Sequence, residues 1–120
     1  MSAKKLVLEF YKSDALINGA VMENFLHEDF KLEWHSSRGF LQMDRKALLA
    51  LANELQVAYV RSKCKISNII AEKDIVSVSY SHYIKTMENP REEMLLAHFM
   101  VNWEIRDEKL YRGYQMSQIE

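Results

Sequence analysis

From Asp29 to His35 apolar and polar side chains alternate one for one. Phe30, Leu32 and Trp34 fall on one side of an extended chain, and Lys31, Glu33 and His35 on the other. A period of two predicts a strand with one buried face. The same period returns after Ala58 and persists through three long segments. The first runs to about Ala71 and turns at "EKD". The second, "IVSVSYSHYIK", sets Val76, Val78, Tyr80, His82 and Ile84 against Ser77, Ser79, Ser81 and Tyr83. Pro90 in "ENPRE" has no N–H for a ladder hydrogen bond and marks the next loop. In "MLLAHFMVNWEI", Leu95, Ala97, Phe99, Val101, Trp103 and Ile105 share one face, and His98, Asn102 and Glu104 lie opposite. A turn at "RDEK" leads into a last strand, "LYRGYQMSQ".

The rest of the chain is helical in period. Leu6, Val7, Phe10, Tyr11 and Ile17 predict an amphipathic helix over residues 3 to 17. Asn18 can cap a second, short helix reaching about Leu26, because its amide oxygen accepts the unpaired N–H groups of a first turn. Gly39 and "FLQM" suggest a short strand turning back from the first. Asp44 then caps a third helix whose Leu48, Leu51, Ala52 and Leu55 form one stripe. Helices followed by a meander of long strands predict an α+β domain whose curled sheet wraps the helices, one domain over residues 1 to 120.

Composition removes several classes. With 16 basic and 17 acidic residues the net charge is -1, so neither nucleic acid nor an anionic membrane is an expected partner. No secretion signal opens the chain, since Glu9 interrupts the first apolar run, and no stretch has the length of a membrane span. The expected location is the cytoplasm. Cys64 is the one cysteine, which excludes an intrachain disulfide, and it reads as a half-buried strand thiol rather than a nucleophile. His27, His35, His82, His98 and Cys64 lack the close pairing of zinc ligands, so no metal or other cofactor is expected.

The order of helix, short helix, "HEDFKLEW", "RG", helix and long strands ending in "WEIRDEKLYRGYQ" resembles the nuclear transport factor 2-like superfamily. Those proteins are cone-shaped, cystatin-like α+β barrels, and include ketosteroid isomerase, scytalone dehydratase, SnoaL-like polyketide cyclases and non-enzymatic members. The resemblance places Trp34 where the isomerases hold their general base, Val101 where they hold a second acid, and Phe10 or Tyr11 where they hold a tyrosine. Most of that chemistry is therefore missing here. The resemblance also implies that Leu110 leads the last strand with Tyr111, 113, Gln115 and Ser117 on its pocket side, and a slip of one residue would exchange Gln115 for Tyr114 and Met116.

What faces inward instead is aromatic with a few polar groups, and Tyr11, Trp34, Tyr80, His82, Trp103 and Gln115 are the candidate ligand-binding residues. The expected function is binding of a small apolar or aromatic molecule. An isomerase, dehydratase or cyclase would need His82 as its acid/base, imidazole being suited to proton transfer near neutrality. A protein-interaction module with an incidental cavity is the third reading. Outward lie Ser79, Ser81, His98, Met100, Asn102, Arg112, Tyr114 and Met116, more apolar than a solvated sheet face. They suggest a homodimer, which the resemblance also implies.

Overall fold

The computed structural model describes residues 2–119. Helix α1, Ala3–Lys12, begins at Ser2, whose hydroxyl accepts the Lys5 N–H, and buries Leu6, Val7, Phe10 and Tyr11. It is shorter than its apolar period predicts. The Ser13 hydroxyl donates to the Phe10 carbonyl and accepts from the Ala15 N–H, so the chain leaves the α-helix there and makes a separate 3-10 turn, Ala15–Ile17. Serine competes with helical backbone bonding in this way. The Asn18 side chain then accepts from Ala20 and Val21 to open α2, Gly19–Met22. That helix stops short of Leu26 because the sheet takes the next residues: the Phe25 carbonyl accepts the Leu110 N–H.

The strands are β1 (Leu26–Ser36), β2 (Gly39–Asp44), β3 (Tyr59–Glu72), β4 (Ile75–Thr86), β5 (Met94–Arg106) and β6 (Lys109–Ile119), with α3 (Arg45–Ala58) between β2 and β3. They form one sheet in the order β2-β1-β6-β5-β4-β3. β1 and β6 are parallel, and every other neighbouring pair is antiparallel. The result is the α+β architecture predicted above, a curved mixed sheet around the helices. Asp44 caps α3 by accepting from Ala47, and the helix buries Leu48 and Ala52. No helix among the described residues is long and apolar enough to cross a membrane.

Bulges bend this sheet and set which side chains face in. One, between Glu104 and Ile105, changes the phase of β6. Leu110 and Gly113 are buried, and Gln115 follows them inward, as read from the sequence. Gly113 has to be glycine, since a Cβ there would lie 2.5 Å from the Trp103 ring and 2.7 Å from Leu32. Tyr111 is the correction. The bulge turns it out of the inward set, and it lies between the guanidinium groups of Arg106 and Arg112, each 3.9 Å from its ring centroid.

Candidate functional site

The inner face of β4 carries Tyr80 and His82, β5 carries Phe99 and Trp103, α1 contributes Tyr11, and all five are buried. They form one connected cluster. The Trp103 Nε1–H donates to the Tyr11 hydroxyl at 2.9 Å. The Tyr11 and Tyr80 rings pack together with their centroids 4.5 Å apart. Tyr80 stacks on Phe99 at 4.9 Å with ring planes 8° apart. His82 lies 6.2 Å and Trp34 6.1 Å from that same Phe99 ring.

The cluster reaches solvent at a rim. Trp34 is half-buried there, and its Nε1–H donates to Ser117 Oγ at 2.8 Å. Gln115, beside Trp34 and Val101 in the ladder, is buried. Ser62 and Cys64 approach from β3, both half-buried, with Cys64 directly across from His82. Thus Tyr11, Trp34, Tyr80, His82 and Trp103 are brought together around Phe99, and Gln115 stands next to Trp34.

Electrostatically the cluster is neutral. Burial raises both tyrosine hydroxyls well above their ordinary range. It pushes the Cys64 thiol up to about 12, which leaves no thiolate for nucleophilic work. The same desolvation pulls His82 down to about 4, so the imidazole is uncharged near neutrality. Its Nε2 shares a 2.7 Å hydrogen bond with Ser62 Oγ. Ser62 is the partner that sequence reasoning missed, although the alternation of Ser62, Cys64 and Ile66 puts it on the inner face. Every described Asp and Glu is exposed except Glu104, which is half-buried and lies 3.6 Å from Arg106. No carboxylate therefore orients His82 or stabilises an imidazolium, so proton abstraction by His82 is unfavourable. No group of three or more His, Cys, Asp or Glu among the described residues could hold a metal ion.

The outer face differs. A cross-strand row runs Phe40, His35, Met116, Met100 and Ser79, with Met100 65 % and Met116 51 % exposed. Beside it a groove of about 830 Å³ is lined by Glu33, Asn102, Arg112 and Tyr114 and also by the buried Leu32, Trp103 and Gly113. A second groove of about 830 Å³ runs between the start of α3 and β1.

No family model and no curated protein matches the chain. Solved structures do. IdmH from Streptomyces antibioticus, proposed to be a polyketide cyclase, aligns over 98 % of this chain and 92 % of its own, with TM-score 0.75 and 12 % identity. A protein of ketosteroid isomerase-like fold from Catenulispora acidiphila DSM 44928, in complex with trimethylamine, aligns over 92 % and 82 %, with TM-score 0.70 and 12 % identity. TerC, co-crystallised with polyporic acid, aligns over 94 % and 88 %, with TM-score 0.65 and 15 % identity. This chain has the fold shared by these ketosteroid isomerase-like, SnoaL-like and NTF2-like structures. Identities this low carry the fold and no activity.

Proposed function

We propose that the protein binds a small apolar or aromatic molecule at the rim of its aromatic cluster, without transforming it. The observation that carries this reading is the acid-free interior: a connected set of rings, Trp34, Phe99, Tyr80 and Tyr11, with His82 and Gln115 as polar groups and every described acid outside. Rings of this kind give a ligand stacking area, and the few polar groups fix its orientation. Two fold neighbours were crystallised with organic molecules, trimethylamine and polyporic acid, a precedent for a ligand on this fold. The domain pairs with a second copy through the Met100 and Met116 row, and a cytoplasmic setting fits its single half-buried thiol.

Titration with a series of neutral aromatic compounds, followed by calorimetry and by tryptophan fluorescence, tests the binding. Replacing Trp34 by Ala should weaken the tightest member at least tenfold, about 1.4 kcal/mol. Unchanged affinity in that variant would remove the rim from the reading.

A second reading, an isomerase, dehydratase or cyclase, is favoured by one observation. The Tyr11 oxygen accepts a hydrogen bond from the Trp103 indole. That leaves the Tyr11 hydroxyl its own proton to donate to a developing oxyanion. It would still need a base, and His82 with Ser62 is the group on offer.

A further inference from the structure

β3 ends the sheet, and its unpaired side is the longest open edge of the molecule. It spans Tyr59–Glu72, against the six residues of β2 at the other end. Among the described residues no backbone hydrogen bond joins 60–72 to any segment but β4. Between irregularities at Tyr59/Arg61 and Ile66/Asn68, residues 61–66 of this edge present N–H and C=O groups in alternation, a template for one more strand.

The charge on this edge is one-sided. No Asp or Glu occurs between Glu54 and Glu72, nor between Asp74 and Glu88. Between those limits stand Arg61, Lys63 and Lys65, all exposed on the outer face of β3, and Lys85 opposite Arg61. Their other cross-strand neighbours are Tyr83 and Ser81, and none of the four cations is in an ion pair among the described residues. In a chain of net charge -1 this concentration is local. On the inner face the same stretch presents Ser62, Cys64 and Ile66, half-buried.

We infer that the β3 edge receives an extended acidic segment of a partner protein, with acids at alternate positions facing Arg61, Lys63 and Lys65 and apolar side chains between them covering Cys64 and Ile66. A second copy of β3 is the wrong occupant, because pairing edge to edge would set its cations against these, and like charges directly opposite are destabilising. A nucleic-acid strand could meet the cations, but it offers no donors in register with the edge carbonyls. The cations that forbid self-pairing thus select an anionic strand. This surface is separate from the Met100 row and adjoins the aromatic rim at Ser62 and Cys64.

The test is hydrogen exchange by NMR on the full chain with a seven-residue peptide of alternating Glu and Val. Alternate amides within 61–66 should exchange at least tenfold more slowly at saturation, with an affinity that falls as salt rises. Lys63→Glu with Lys65→Glu should weaken the peptide at least tenfold and let the matching Lys and Val peptide bind instead. Lys63→Gln gives the same test at smaller amplitude should the double reversal unfold the chain. Unslowed exchange in β3 at millimolar peptide, equal protection by the Lys peptide on wild type, or tighter protection by a single-stranded oligonucleotide of equal charge would each overturn the proposal.

Discussion

Trp103 and Met100 stand three residues apart on β5, yet one is 2 % exposed and the other 65 %. The difference is parity along a pleated strand: odd positions from Ala97 to Ile105 enter the cluster, even positions face away. Folding free energy is therefore concentrated on one face, and the other is free to be shaped by association. The largest expected effect separates them directly. Trp103→Ala removes a buried indole and the donor to the Tyr11 hydroxyl, and should cost about 3–5 kcal/mol. Met100→Ala should stay within about 0.5 kcal/mol for the folding of the single chain. Urea denaturation of both variants measures the contrast, and comparable losses would erase it.

Histidine sharpens the same comparison through pH. The folded protein holds His82 at about 4 by desolvation, against 6.5 for an exposed imidazole. A depressed folded value means the unfolded chain binds the proton first. The stabilising difference is complete above about pH 6.5 and is lost as pH falls toward 4. The gap corresponds to about 3 kcal/mol. His82→Gln removes this linkage, so its stability relative to wild type should improve progressively between pH 7 and pH 4. A difference between the two proteins that is flat over that range would mean His82 is not desolvated.

The strand faces were legible in the sequence because alternation is strict where one face is buried. Alternation puts Tyr80, His82 and Trp103 on the buried side, and the resemblance to the superfamily puts Gln115 there. What alternation could not supply was the phase change at the Glu104/Ile105 bulge, which turns Tyr111 outward between two arginines. Nor does periodicity show where a serine hydroxyl competes with helical bonding, so the break at Ser13 was hidden inside an apolar repeat. Ser62 was overlooked because a hydroxyl acquires a role only through its neighbour, and the diagonal contact to His82 is a product of sheet register.

A smaller effect is expected at the rim, where inside meets outside. Trp34→Phe keeps the ring but loses the bond to Ser117, and should cost about 0.5–1.5 kcal/mol. A loss near that of Trp103→Ala would place Trp34 in the core rather than at its edge. Smallest in folding energy is the outer pair. Met100→Lys with Met116→Lys should leave single-chain stability within about 0.5 kcal/mol while converting a dimer that buries about 1,200–2,000 Å² into a monomer. Sedimentation at micromolar concentration reads this, and a wild-type monomer there would contradict the assembly.

Whether the inner face holds a ligand and leaves it unchanged is read by native mass spectrometry of the wild type and of His82→Gln, each purified from the protein's own host. One small organic molecule per chain is expected in both proteins, recovered with its mass unaltered after incubation. Chains that carry nothing, or a host molecule converted by wild type and left intact by His82→Gln, would contradict it.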